Sequence, residues 1–235
     1  MLYALRYPFS FGVLVVTFVV GVSARGLAQR LISGERRPAW VRANTHRRRS
    51  TWLKPSIDAY GCISAALGGI GWGAPVDISD PRHRSRGRRS VQLLVGPLVL
   101  GGLGAGLLAI LKAWAHPGVP FLPLYQAVTG SALVAHPAHF GYVLPFGQVA
   151  LFLAGVELLA MGVLAIIPIP PLDGGKLLFS LLPRSGTLGK IRLRVDEENW
   201  GLLVLLILGL PVIFRNLVLI RILGHLVDPL VRLVL

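Results

Sequence analysis

Long apolar segments constrain the fold of this chain more than any other feature. Residues 9–32, 91–114, 145–167 and 200–219 each approach or exceed the length of about 20 apolar residues with which a helix crosses a bilayer. Hydrophobic residues make up 54% of the 235 residues and charged residues 14%, and the mean hydropathy is +0.67. The sequence therefore predicts an integral, multi-pass membrane protein with a single membrane domain over residues 1–235, and it argues against a soluble enzyme.

The net charge of +14 has two interpretations, binding to nucleic acid or the usual excess of Lys and Arg in cytoplasmic loops. The basic residues are concentrated in stretches 34–54 and 82–89, between apolar segments. This distribution favours the second interpretation, and no nucleic-acid motif accompanies it. We therefore expect the lipid bilayer, including its anionic headgroups, as a partner and no nucleic acid.

The first apolar segment is open to two interpretations. Arg6, the apolar run and Val22-Ser23-Ala24 resemble a cleaved leader over residues 1–24. The apolar character resumes at residues 27–32, which a discarded leader does not require, and this favours a first span over residues 9–32.

Residues 56–75 are moderately apolar and rich in glycine. If they crossed the membrane once, the two basic stretches would lie on opposite sides, against the positive-inside tendency. Glycine also disfavours a long regular helix. We therefore predict a re-entrant segment that returns to the same face of the membrane.

The remaining segments complete an all-α helical bundle of about four to six spans. Glycines in the span 91–114 predict close helix packing. Span 145–167 is followed by a proline-rich motif and short helix over residues 168–183, then by a span over residues 200–219. Residues 220–235 form a last apolar helix that is either a short span or an interfacial helix.

The sequence Pro168-Ile-Pro-Pro-Leu-Asp-Gly-Gly175 is the strongest functional signal. Prolines break a helix, and irregular backbone at membrane depth requires a protein-lined or polar cavity. A carboxylate there is costly unless it has a partner, which makes Asp173 a candidate site residue. Lys176, three residues further on, is one candidate partner, and the mid-span Glu157 is expected to line the same cavity.

This stretch resembles the second metal-site motif of the site-2 protease family, the intramembrane zinc metalloproteases. Ser56-Ile-Asp-Ala-Tyr-Gly61, Gly71-Trp-Gly-Ala-Pro-Val76 and Val95-Gly-Pro-Leu98 resemble other elements of that family, in the same order. Ala165 replaces the asparagine of the family motif and Leu100 that of the third element. The resemblance implies a site-2-protease-like core in which Asp173 is the third zinc ligand and Asp58 helps to shape the site, the alternative for Asp58 being that it caps a turn.

The chain departs from this family where the other ligands belong. Active members carry His-Glu-x-x-His on the first core helix, where two histidines bind zinc and the glutamate activates water. The corresponding stretch here, Val22-Ser23-Ala24-Arg25-Gly26 or the frame one residue later, contains neither residue type. We therefore expect no intact catalytic set and no cofactor, with Asp173 a vestigial ligand. We further predict that Arg25 reaches Asp173 and occupies the position of the zinc, the alternative being that Arg25 extends to the lipid interface.

Other histidines offer an alternative metal site. His46 and His83 lie in the basic loops, whereas His116, His136 and His139 belong to a predicted outer loop. His225 and Asp228 share one face of the last helix. Zinc would be the cofactor if any of these replaced the lost ligands.

The leading hypothesis is a catalytically inactive homologue in a multi-pass prokaryotic cell membrane, which binds a transmembrane segment or a membrane partner through its cleft. The alternatives are an active zinc metalloprotease with unusual ligands and a structural subunit of a membrane complex. A structural subunit predicts that Asp173→Asn leaves partner binding unchanged, whereas a cleft that binds a partner predicts a change. The expected cleft residues are Arg25, Asp58, Pro168, Pro170, Pro171, Asp173, Gly174, Gly175 and Lys176.

Overall fold

The computed structural model describes residues 2–33, 57–74, 86–115, 122–129, 145–181, 200–209 and 218–235. A 3-10 helix at Leu2–Arg6 precedes the first α-helix. The α-helices of the described residues are α1 (Pro8–Ser33), α2 (Ala59–Gly68), α3 (Arg86–Trp114), α4 (Leu124–Thr129), α5 (Phe146–Ile166), α6 (Asp173–Leu181), α7 (Trp200–Gly209) and α8 (Val218–Val234). The described part of the chain is all-helical, and its one β contact is an isolated bridge.

Helices α1, α3 and α5 form the centre of the fold and are the helices long and apolar enough to cross a membrane. Helix α3 runs antiparallel to α1 and α5, and these two run parallel to each other. At one end the ring of Phe9 meets that of Phe146 with centroids 5.0 Å apart, and Trp114 lies beside Gly147. At the other end α1 and α3 meet the start of α6. We call the first of these the aromatic end and the second the Asp173 end.

Helix α5 is the central helix of the three. Within its most apolar window 72% of the residues are buried, compared with 33% for α1 and for α3. Helices α1 and α3 pack on α5 and on each other, and α4 and α8 also pack on it. The outward faces of α1 and α3 are consequently apolar and uncovered by the described residues.

Close contact between α3 and α5 depends on glycine. A Cβ on Gly104 would lie 2.5 Å from the backbone nitrogen of Leu159, and one on Gly162 would lie 2.8 Å from the nitrogen of Gly101. The glycines of span 91–114 predict close packing, and the structure shows it at Gly104. A Cβ on Gly102 or Gly106 would instead meet none of the described residues within 4 Å, and both glycines are exposed in this part of the chain.

Residues 57–74 fold back on themselves. Asp58 caps α2 by accepting a hydrogen bond from the Gly61 nitrogen at 2.8 Å. Gly69 ends the helix with a φ of 89°, a left-handed conformation that suits glycine. The chain then returns until Gly73 bridges Ile57. The entry and exit of this segment therefore lie side by side, although α2 is a more regular helix than the glycine content predicts.

Helix α8 packs near the aromatic end. The backbone nitrogen of Leu124 donates to the Asp228 carboxylate at 2.9 Å, and Lys112 Nζ donates to the carbonyl of Val234 at 3.1 Å. Asp228 therefore supports the backbone of α4, and His225 beside it is exposed. The hydrogen bond from Leu124 thus gives the Asp228 carboxylate a partner within the protein.

The predicted number of about four to six spans exceeds what the described residues contain, which is three helices of spanning length. The predicted spans 9–32, 91–114 and 145–167 coincide with α1, α3 and α5. For the predicted span 200–219 the structure describes only ten helical residues, Trp200–Gly209, and residues 210–217 lie outside the described part. The basic stretch 34–54 and residues 82–85 also lie outside it.

A pair of substitutions on α3 tests the glycine packing. We expect Gly104→Ala to destabilise the protein by about 1–3 kcal/mol, because the new methyl group overlaps the backbone of α5. Gly102→Ala is the control and should be neutral or stabilising by up to about 1 kcal/mol, because alanine favours a helix. Thermal unfolding in detergent measures both, and equal effects of the two variants would contradict this packing.

Candidate functional site

The turn between α5 and α6 places Asp173 inside the protein. The backbone nitrogen of Ile167 donates to the carbonyl of Leu164 at 3.0 Å, and that of Leu172 to the carbonyl of Ile169 at 3.0 Å. The peptide bond between Pro170 and Pro171 is cis. The prolines thus end α5 and reverse the chain within a few residues, so that α6 begins with Asp173.

The two glycines after Asp173 allow this turn to close. A Cβ on Gly174 would overlap the carbonyl of Ile166, and one on Gly175 would overlap the backbone of Pro170. Gly201 of α7 lies equally close to the Pro170 carbonyl. Any larger side chain at Gly174 or Gly175 would therefore push α6 away from the turn and displace Asp173.

Arg25 of α1 binds Asp173 through two parallel hydrogen bonds. Its Nη2 donates to Asp173 Oδ1 at 2.6 Å and its Nε to Oδ2 at 2.8 Å. Arg25 is 5% exposed and Asp173 1% exposed. This is the fork geometry in which guanidinium and carboxylate groups bind most strongly. The contact predicted between Arg25 and Asp173 is present, and the alternative position of Arg25 at the lipid interface is not adopted.

Gln29 completes the hydrogen bonding of the carboxylate. Its Nε2 donates to Asp173 Oδ2 at 3.0 Å, and the residue is 3% exposed. Arg25 and Gln29 are four residues apart and therefore lie on one face of α1. The sequence analysis missed Gln29. Its spacing from Arg25 is the signal that could have identified it.

Gly96 of α3 forms the third wall of this cluster. A Cβ there would lie 2.6 Å from Gln29 Nε2, 3.0 Å from Arg25 Cγ and 3.0 Å from Asp173 Oδ2. A larger residue would therefore displace these side chains. The glycine of the Val95-Gly96-Pro97 element thus belongs to the site.

Segment 57–74, which folds back on itself, is hydrogen-bonded to the same arginine. Arg25 Nη1 donates to the carbonyl of Ala74 at 3.1 Å. Trp72 Nε1 donates to Asp58 Oδ2 at 2.8 Å, which holds the returning chain against the start of α2. Asp58 therefore caps α2 and binds Trp72, which lies beside the ion pair.

The ion pair is held in an environment that strongly opposes unpaired charge. Two unit charges about 4 Å apart attract each other by about 4 kcal/mol at an effective dielectric constant of about 20. Withdrawing each ion from water costs several kcal/mol, so the net stabilisation is small. Breaking the pair would nevertheless leave a buried charge alone, and this penalty fixes Arg25 and Asp173 together.

Two cavities border Asp173. The smaller has a volume of about 10 Å³ and lies beside Arg25, Trp72 and Leu172, so the space around the ion pair is nearly filled. The larger, of about 190 Å³, lies between α3, the end of α5 and α6. Glu157 borders neither cavity.

Some expected site residues are located elsewhere or have other roles. Val22 is buried in the apolar core, and Ser23 Oγ donates to the Val19 carbonyl at 2.7 Å. The expectation that Glu157 lines the cleft is wrong. It is 1% exposed in the middle of α5, and neither carboxylate oxygen has a hydrogen-bond partner among the described residues. Lys176 lies one turn after Asp173, where its backbone nitrogen donates to the Leu172 carbonyl at 3.1 Å.

The residues around Asp173 do not fit a zinc ion as they stand. Both oxygens of the carboxylate accept hydrogen bonds from Arg25 or Gln29, and neither of those side chains is a zinc ligand. Within the described ranges, no group of three or more His, Cys, Asp or Glu residues could hold a metal ion. His46, His83, His116, His136 and His139 lie outside these ranges.

Comparisons of the chain with protein-family models, with curated proteins and with solved structures find no match.

A substitution of Gly96 tests the assembly of this cluster. We expect Gly96→Ala to lower the stability by about 1–3 kcal/mol, because its methyl group would press on Gln29 and Arg25. Adding Gln29→Ala should restore part of the loss, since Gln29 Nε2 is the nearest atom. Thermal unfolding of both single variants and the double variant measures this coupling. Strictly additive losses would contradict the geometry.

Proposed function

We propose that this protein is a non-catalytic membrane protein with a site-2-protease-like core, and that it binds a transmembrane segment of a partner. The observation that carries the proposal is the buried Arg25–Asp173 ion pair, with Gln29 on the second oxygen. In the family that the sequence resembles, the corresponding aspartate binds zinc. Here a guanidinium group stands in the place of the metal.

The spacing of the two donors supports this assignment. Arg25 and Gln29 lie four residues apart, as do the two histidines of His-Glu-x-x-His, and both side chains meet Asp173. This spacing supports a vestigial motif at residues 25–29 rather than at residues 22–26 or 23–27. In the revised frame Gly26 takes the position of the catalytic glutamate, so both histidines and the base are replaced.

The arrangement of residues 57–74 is also compatible with such a core. We infer that this segment is re-entrant, since Ile57 bridges Gly73 and both ends of the segment lie near the Asp173 end of the bundle. The basic stretches 34–54 and 82–89 flank this segment in the sequence. Both would then lie on the cytoplasmic face of a prokaryotic cell membrane.

A transmembrane segment is the partner that the surface of the spans favours. The space around the ion pair is nearly filled, so a helix cannot enter it, whereas the outward faces of α1 and α3 carry exposed apolar side chains that the described residues leave uncovered. Gly102 and Gly106 lie on the outward face of α3 with open space before them, and small residues at this spacing let a second helix approach closely. The exposed glycines thus support a partner helix independently of the ion pair.

The other two candidate functions have less support. An active metalloprotease would require Arg25 to leave Asp173 and histidines outside the described residues to supply ligands. A structural subunit would use the same outward faces, but the buried ion pair would then be only a structural contact.

Restoring the two histidines tests the proposal. We expect the double variant Arg25→His, Gln29→His to bind about one zinc ion per chain, because two imidazoles at this spacing would join the Asp173 carboxylate. The unmodified protein should bind none tightly. The measurement is the zinc content of the protein after purification in detergent and size-exclusion chromatography.

Two controls make this result specific. Leu27→His, Leu31→His places a histidine pair at the same spacing on an exposed face, where the leucines are 48% and 71% exposed, and it should bind zinc only weakly. Adding Asp173→Asn to the first variant should abolish its tight binding. Equal zinc content in the two histidine pairs would contradict the proposed position of the metal, and stoichiometric zinc in the unmodified protein would favour an active metalloprotease.

A further inference from the structure

The larger cavity beside Asp173 is an apolar groove at the surface of the helices. It has a volume of about 190 Å³ and lies where α3, the end of α5 and α6 meet. Leu94 and Leu178 at its edge are each 40% exposed, and Leu181 is 65% exposed. The groove therefore opens toward the surroundings of the bundle and ends internally at Asp173.

This groove offers almost no polar partner, because Asp173 is the one polar side chain among its described lining residues and most of the acceptor positions of Asp173 are already taken. Oδ1 of Asp173 accepts from Arg25, and Oδ2 accepts from both Arg25 and Gln29. Among the described residues, the buried side-chain polar atoms without a partner belong to Glu157, which does not line the groove. A cavity without polar partners does not retain water, so an apolar occupant is favoured.

The size of the groove determines which apolar occupant fits. A helix with its side chains is about 10–12 Å in diameter, and even one turn of it is larger than this groove. A single hydrocarbon chain is narrow enough to enter. Leaving the groove empty would forfeit the dispersion contacts of its lining.

The groove lies close to one end of the membrane-spanning helices, where the headgroups of the lipids would be. Leu93 and Pro97 lie three and seven residues into the apolar window that begins at Ser90, and Ile166 ends α5. At about 1.5 Å per residue the groove lies roughly 5–10 Å below this end of the window. The first turn of α3, residues 86–89, contains three arginines just before this window, and their positive charge would attract an anionic headgroup.

We propose that the groove between α3 and α6 binds one acyl chain of an anionic phospholipid and thereby keeps water from the Arg25–Asp173 ion pair. The site differs from the outward faces of α1 and α3 assigned to a partner helix. It depends on the apolar groove and on the basic first turn of α3, so it stands whether or not the protein is catalytically active.

Photolabelling in vesicles tests this site. The protein is reconstituted in phosphatidylcholine that contains phosphatidylglycerol with a diazirine on the upper third of one acyl chain. After irradiation, peptide mass spectrometry should find label on the peptides that carry residues 93–97 and 174–181. The same diazirine on phosphatidylcholine should label these peptides less.

A cavity-filling variant separates the groove from the general lipid surface. Leu177→Trp should lower groove labelling roughly fivefold by occupying the space of the chain. Leu103→Trp, at a position on α3 that is 43% exposed, should leave it unchanged. Leu177→Ala should raise labelling because it enlarges the groove. This variant replaces Leu177→Trp as the test if the tryptophan variant does not fold. Labelling that these substitutions do not change, label confined to other exposed positions, or cross-links at residues 174–181 to a second protein chain would overturn the proposal.

Discussion

A buried carboxylate that ionises needs a partner, and this requirement organises one end of the structure. Asp173 receives three hydrogen bonds, two from Arg25 and one from Gln29. Moving charges into an apolar interior is expensive, and pairing mainly compensates for that cost. The pair therefore adds little net stability. It instead excludes arrangements of the helices that would separate the two buried charges.

Several separate parts of the chain together surround Asp173 and supply its partners. The proline turn after α5 and its two glycines present the carboxylate, and α1 contributes the two donors. Gly96 lets α3 come close enough to enclose them, and the Ala74 carbonyl accepts a hydrogen bond from Arg25 Nη1. The elements that the sequence resemblance identifies one by one thus converge at a single point, which is the main support for treating that point as the functional site.

The sequence predicted these features with uneven success, for physical reasons. Long apolar helices and the break at Pro168 follow from composition and backbone chemistry, so α1, α3 and α5 could be predicted with near-correct bounds. The contact between Arg25 and Asp173 was predicted because a buried carboxylate needs a cation and the family resemblance puts Arg25 where the other ligands belong. Gln29 was missed because an uncharged side chain carries no charge signal. Glu157 was assigned to the cleft because sequence does not show how far a cavity extends along α5, and Glu157 lies one turn deeper than Met161, which borders the smaller cavity. The described residues contain three helices of spanning length, and the predicted span 200–219 lies partly outside them.

The central claim is that Arg25 and Asp173 form one buried unit, and a double-mutant cycle tests it most directly. The variants are Arg25→Met, Asp173→Leu and their combination, measured by reversible unfolding in detergent. The account predicts that each single substitution costs about 3–5 kcal/mol by leaving one charge buried alone, and that the double variant regains most of this loss. Small and additive losses would show that the two charges are solvated independently, which would contradict the account.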